Sequence, residues 1–183
     1  MIVLILIIVY HGYRKNNSKG KCLHMAKFKK TNAMRILERN KIDYKYYEYE
    51  VIEGKTDGIS VADSLGQDHE KVFKTLVTIG VSKEHYVFVI PVAAELDLKK
   101  AAKAAGEKKI EMIPMKTLLA TTGYIHGGCS PVGMKKQFKT FIHESASNND
   151  RIICSGGKIG LQIDVALNDL LKLVRGQLSD VCK

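Results

Sequence analysis

The sequence predicts one α/β domain built on a single mixed sheet that curls toward a barrel, with helices around it. Three observations carry this reading. Two neighbouring runs, VFKTLVTIGV (72–81) and HYVFVIPV (85–92), are dense in β-branched and aromatic residues with few polar breaks, as central strands covered on both faces should be. Segments with apolar residues at helical spacing are interleaved with strand-like ones. The interleaving has no strict βαβ rhythm and no internal repeat, so a mixed sheet is expected and not an all-parallel one.

The elements follow in order. Thr31 is placed as the N-cap of a helix whose Ala33, Ile36 and Leu37 fall at i, i+3 and i+4. YKYYEYEV (44–51) is aromatic and partly alternating, which suits a half-buried strand. Gly54 and Gly58 punctuate a loop, and Ser60 with Asp63 resembles a capping box opening a short helix that ends near Gly66. After the two central strands, DLKKAAKAAG sets Leu98, Ala101, Ala102 and Ala105 on one stripe and Lys99, Lys100 and Lys103 on the rest. Gly106 is its stop. Pro114 opens another short helix through Leu119, closed by Gly123. TFIHE (140–144), RIICS (151–155) and KIGLQID (158–164) are later strands, and Leu167, Leu170, Leu171 and Val174 form a last helix ending at Gly176.

Composition sets the broad class. In 183 residues, 45% apolar and 26% charged content excludes a disordered polyelectrolyte, and three Pro with fifteen Gly exclude a collagenous chain. The formal net charge is +10, and Arg14, Lys15, Lys19 and Lys21 supply four of those charges within 24 residues that hold no acid. The remaining +6 still favours a polyanionic partner, although a modest basic excess also serves solubility. Lys99, Lys100, Lys103, Lys108 and Lys109, with Lys135, Lys136 and Lys139, form two basic clusters that read first as solvated faces and, if both flank one pocket, as a phosphate track.

Cys22, Cys129, Cys154 and Cys182 are too sparse for a disulfide framework and contain no CxxC pair, which fits a reducing cytoplasm. The six histidines are dispersed, so no zinc site assembles from these spacings. The apolar run MIVLILIIVY is shorter than the ~20 residues a spanning helix needs and lacks the basic flank that precedes a secretory core. HGYRKNNSKGK behind it reads as a linker. Residues 1–24 are therefore expected to be an extension, disordered or preceding the true start at Met25, and 25–183 the folded domain; a weak amphipathic membrane tether is the lesser reading.

Three features could carry chemistry. Lys74 interrupts the apolar face it shares with Val72 and Leu76, and a buried amine is costly unless it is paired or opens onto a polar cavity. The competing reading is an edge strand from which Lys74 reaches water. The second feature is Tyr124 to Gly133, where Gly127, Gly128 and Gly133 remove Cβ atoms and Pro131 stiffens a loop that could present amide donors to an oxyanion or a ribose hydroxyl. The plain alternative is a tight turn. Cys129 near His126 invites a thiolate nucleophile, but no orienting acid accompanies them. The third, SGGKIG (155–160), satisfies neither GxxxxGK[ST] nor GxGxxG, which disfavours nucleotide triphosphate binding; it is a turn that could present Ser155 and backbone amides to a cavity, or a plain hairpin.

TNAMRILE (31–38), VFKTLV (72–77), GGCSPVGMKK (127–136) and SGGKIG (155–160), in this order and at these separations, resemble the YbaK/EbsC family of aminoacyl-tRNA deacylases. The resemblance spans roughly residues 30–175, and the family is related to the editing domain of bacterial prolyl-tRNA synthetases. It implies a mixed α/β editing-domain fold and a trans-editing enzyme of the Cys-tRNA(Pro)/Cys-tRNA(Cys) deacylase type. By the resemblance Lys74 holds the substrate's 3′ end, Gly127 and Pro131 match the GxxxP loop, and Ser155 matches the serine of the SGG turn. Catalytic roles then fall to Lys74, Gly127 and Ser155. Substrate contacts fall to Tyr49, Thr75, Gly128, Cys129, Ser130, Pro131, Gly156 and Gly157. Members commonly carry an acid where this chain has Gln162; Asp164, two residues on, lies on the same strand face or caps the last helix. The implied chemistry has the substrate's own thiol attack its ester, releasing tRNA and a thiolactone, as a lyase would. It needs no metal or organic cofactor. The implied partners are the 3′ acceptor end of an aminoacyl-tRNA and prolyl-tRNA synthetase, with no membrane and no DNA. The alternatives are a Cys129-dependent thiol hydrolase and a non-catalytic tRNA-binding relative.

Overall fold

The computed structural model describes residues 29–50 and 57–183, together with the backbone of 11–14. The apolar run 1–10, the start at Met25 and Gly54 lie outside the described residues. The elements run β1 (His11–Arg14), α1 (Asn32–Arg39), β2 (Tyr44–Glu48), α2 (Gly58–Ser64), β3 (Phe73–Gly80), β4 (His85–Pro91), α3 (Leu98–Ala105), β5 (Ile110–Met112), α4 (Met115–Thr122) and β6 (Lys139–His143). A 3₁₀ turn (Glu144–Asn148), β7 (Arg151–Ser155), β8 (Leu161–Ala166), α5 (Leu167–Val174) and β9 (Gln177–Ser179) complete the order.

The mixed α/β class stands, but the strands sort into two sheets and not one. The first is antiparallel in the order β1-β2-β8-β7; the second is mixed, in the order β5-β3-β4-β6-β9. They meet at one parallel bridge, Val72 to Ile153, where Ile153 N–H donates to Lys71 O at 2.7 Å. The curl toward a barrel is thus carried by a seam of a single bridge, and the sheets stay open.

Burial explains why these runs became strands. Tyr86 to Ile90 of β4 are all buried, because both faces of the strand are covered. Val87 and Val89 enter the main core with α1, α4 and α5, whereas Tyr86, Phe88 and Ile90 meet the Ala101, Ala102 and Ala105 stripe of α3. Leu98, expected on that stripe, is 41% exposed, since it sits in the first turn directly after the N-cap Asp97. Gly106 stops α3 in the left-handed region at φ 76°, where a side chain would be strained.

Several local expectations shift. The carboxylate of Asp57, not Ser60, caps α2 by accepting from the Ile59 and Ser60 N–H groups, and Asp63 instead pairs with His69 at 2.7 Å. Within the stretch read as linker, His11–Arg14 pairs with β2. Strand β8 begins at Leu161, because the preceding residues turn through Gly160 at φ 82°. Asp164 lies inside β8 and accepts from Arg151 Nε at 2.6 Å, so it does not cap α5, whose N-cap is Ala166. Strands β5 and β9, three residues each, are too short to leave a periodic signal in the sequence. No described helix is long and apolar enough to cross a membrane.

Phe88 is wholly buried and stacks on Phe141 with ring centroids 5.3 Å apart. Phe88→Ala is expected to cost about 3–5 kcal/mol in urea unfolding, from lost transfer energy and the cavity left behind.

Candidate active site

The site begins where β3 lacks a neighbour. Strand β4 pairs with β3 along Phe73–Ile79, but β5 reaches only Thr78–Gly80 on the other edge. The Phe73–Leu76 stretch therefore has no paired strand on that side among the described residues, beyond the bridge at Val72. A cavity of about 410 Å³ is lined by this stretch together with Tyr49, Gly127, Cys129, Cys154, Ser155, Leu161 and Gln162. That volume suits a small ligand, for which sites of roughly 300–1,000 Å³ are usual.

Lys74 is half-buried on the cavity wall, and its Nζ donates to Val92 O at 2.9 Å. One ammonium proton is thereby used and two remain. No carboxylate lies within ion-pair distance of it among the described residues. Glu95, held below the usual carboxylate range chiefly by Lys183, feels the Lys74 charge more weakly. The two readings of Lys74 thus merge: its strand is open-edged here, and the open edge is a cavity wall. Next to it, Thr75 Oγ1 is buried without a hydrogen-bond partner among the described residues.

Two glycine turns close the other side. Gly127 takes φ 77°, and the N–H groups of Gly127, Cys129 and Ser130 have no protein acceptor among the described residues, whereas Gly128 N–H donates to Ile125 O at 3.0 Å. Ser155 Oγ accepts from Gly157 N–H at 3.3 Å. The turns touch at Gly128, where a Cβ would stand 3.0 Å from backbone atoms of Lys158 and Ile159. No bulkier residue allows that approach without moving backbone.

Six of the expected residues line this one cavity: Lys74, Thr75, Tyr49, Gly127, Cys129 and Ser155. Five do not, and their surroundings give the reason. Gly128 is spent on the contact between the turns. Ser130 is fully buried, its Oγ accepting from Val132 N–H at 3.3 Å. Pro131 lines a second cavity of about 230 Å³ behind the loop. Gly156 packs against the Leu161 side chain, and Gly157, at φ 94°, lies against the Tyr124 ring. These residues shape the wall from behind.

Asp57, Ile59, Leu118 and Cys154 also line the cavity without a signal in the sequence motifs, and His126, which the sequence offers only as a companion of Cys129, lines it too. A 39% exposed Ile59 directly after a glycine is the signal that could have marked one of them. Gln162, 6% exposed, presents a neutral amide whose Oε1 accepts from Gln67 Nε2 at 2.8 Å. Asp164 is committed to Arg151 and to the Tyr47 hydroxyl, which donates at 3.3 Å. The basic clusters do not line the cavity. Lys100 pairs with Asp180, Lys109 pairs with Glu111, and Lys135 donates to Ala120 O. No three His, Cys, Asp or Glu side chains gather as a metal site among the described residues.

Burial pushes the Cys129 thiol up to about 12, against a smaller opposing effect of its hydrogen bond with Thr122. Burial, aided by the Asp164 charge, also takes Cys154 to about 12. At pH 8 such a thiol is thiolate about once in 10⁴ molecules. Peptide-resolved alkylation of the native protein by iodoacetamide at pH 8 should therefore leave Cys129 and Cys154 unmodified, with reaction only on unfolding or strong base; rapid native labelling would contradict it. Gly128→Ala, with its methyl 3.0 Å from backbone, is expected to lower stability by about 1–3 kcal/mol in urea unfolding.

Comparison with known proteins adds the wider context. The family model described as "Aminoacyl-tRNA editing domain" matches residues 55–173. A protein of Enterococcus faecalis (strain ATCC 700802 / V583) that carries the name "Putative Cys-tRNA(Pro)/Cys-tRNA(Cys) deacylase EbsC" is 52% identical over 152 residues, covering 83% of this chain and 93% of its own. A solved structure described as a trans-editing enzyme for prolyl-tRNA synthetase superposes with a TM-score of 0.71 at 21% identity, over 83% of this chain and 95% of its own. That of hypothetical protein APE2540 gives 0.75 at 16% identity, over 84% and 100%. The two structures speak for the fold alone.

Proposed function

Because the chain belongs to the family of aminoacyl-tRNA editing domains, we propose that it is a trans-editing aminoacyl-tRNA deacylase that clears Cys-tRNA(Pro) and Cys-tRNA(Cys). One observation carries the site assignment: the Lys74 amine, the Gly127 turn and Ser155 line a single cavity. In this reading Lys74 holds the 3′ end of the aminoacyl-tRNA, with its two unused protons available to an oxygen of the substrate. The amides of Gly127 and Cys129 meet the oxygen that becomes negative as the ester is attacked. Tyr49, Thr75 and Ser155 complete the contacts, while Gly128, Ser130, Pro131, Gly156 and Gly157 act through the shape of the turns.

The nucleophile is the substrate's own thiol. Its sulfur bonds to the ester carbonyl carbon, the bond from that carbon to the ribose oxygen breaks, and the thiol proton ends on the departing hydroxyl of the tRNA. A thiolactone and free tRNA result, so the reaction is of the lyase type. The protein supplies positioning and charge, and both are present before the reaction begins. What favours this route over a Cys129-dependent hydrolase is the Cys129 thiol pushed up to about 12, which leaves almost no protein thiolate at neutral pH. Serine and alanine lack a comparable internal nucleophile, so cysteine is selected by its chemistry. Prolyl-tRNA synthetase, the source of the mischarged tRNA, is the proposed partner, and the cytoplasm the proposed setting.

Deacylation of labelled Cys-tRNA(Pro) tests this. Lys74→Ala is expected to lower kcat/KM by about 10²–10³, the scale for removing one preorganised charge-stabilising group, whereas Cys129→Ser keeps most of the activity. Turnover by Lys74→Ala at the wild-type rate would remove the role of the lysine. An inactive Cys129→Ser would turn the assignment to the thiol hydrolase, and tight salt-sensitive tRNA binding without any deacylation to a non-catalytic relative.

A further inference from the structure

The first residues of α1 reach both glycine turns. Thr31 accepts from Met34 N–H at 3.3 Å as the N-cap of α1, and its Oγ1 also donates to Gly156 O at 2.6 Å. One residue on, Asn32 Nδ2 donates to Gly133 O at 2.8 Å. Tyr124 joins the same two turns from the other side. Its hydroxyl donates to Val132 O at 2.6 Å, and its ring stands where a Cβ on Gly157 would meet it at 3.0 Å. A helix start 125 residues away in sequence from Gly156 thus ties the two turns to one rigid element.

These ties matter because packing does not hold the loop alone. Behind Pro131, Val132 and Gly133 lies the 230 Å³ cavity, bordered by Ile36 of α1, so the loop has space to settle backward. We propose that Thr31 is a positioning residue for catalysis: its hydroxyl, while capping α1, clasps the SGG turn and fixes Ser155 relative to the Gly127 amides. Tyr124 is the matching clasp on the other turn. The inference rests on the deacylase reading of the cavity.

Capping and clasping separate by substitution. Thr31→Asp retains an N-cap of equal quality but has no proton to give Gly156 O; Thr31→Ser retains both. Thr31→Asp should keep the helix cap and the wild-type KM while kcat falls about 10–100-fold, the scale for misplacing a catalytic group by an ångström. Thr31→Ser should restore kcat. Should Thr31→Asp not fold, Tyr124→Phe, which removes only the hydroxyl, carries the same expectation. A second readout needs no activity. Amide hydrogen exchange at Gly156, whose N–H donates to Leu161 O at 2.9 Å, should quicken in Thr31→Asp and return to the wild-type rate in Thr31→Ser. Wild-type kcat and unchanged exchange in Thr31→Asp would overturn the clasp while leaving an active wild type, and with it the deacylase reading, intact. An inactive wild type with quickened exchange would do the reverse.

Discussion

The meeting of two glycine turns at Gly128 is the contact on which the rest of the site depends. Backbone of Lys158 and Ile159 comes so near that a single Cβ would stand 3.0 Å away. This approach brings the loop after α4 and the turn between β7 and β8 together as one wall. The opposite wall is the edge of β3 that β5 leaves unpaired. A short strand on one side and a missing side chain on the other thus make a cavity of about 410 Å³ out of elements that would otherwise pack shut.

That geometry resolves the cost of placing an amine on a strand of the second sheet. Lys74 sits where pairing on one strand edge has ended, so its side chain meets a cavity and not apolar core. Its tie to Val92 O fixes the stem of the side chain while leaving protons for a ligand. The thiols beside it behave oppositely. Burial makes Cys129 and Cys154 inert, so they serve as wall. The cavity is lined by one lysine and by the Asp57 carboxylate, with further polarity from amides and hydroxyls; the lysine and the amides are the groups suited to stabilising negative charge that develops on a bound substrate.

Local chemistry was readable from sequence where one residue decides the outcome. Thr31 and Gly106 announce a helix start and a helix stop, and the apolar runs of β3 and β4 announce a sheet core. Where several residues compete, the sequence alone does not decide between them. Asp57 outcompetes Ser60 as a cap because a carboxylate can accept from two N–H groups at once. β5 and β9 are three residues long with exposed Met112 and Leu178, too short and too wet to leave a period. Glycine-rich motifs marked the two turns but not their faces: which residue of a turn looks into the cavity depends on what packs behind it, and Ser130, Pro131, Gly156 and Gly157 face away. The resemblance of four short motifs to one family points to residues of which six line one cavity, while Thr31's bond to Gly156 is visible only in the fold.

In the proposed mechanism the protein brings no nucleophile and the substrate brings its own. Comparing single-turnover rates for one tRNA(Pro) acylated with cysteine or with serine, which differ by one sulfur, tests it directly. Rapid release is expected from the cysteinyl form, with a thiolactone as the first product, and little release from the seryl form. Equal rates for the two, with free amino acid as the first product from both, would contradict it.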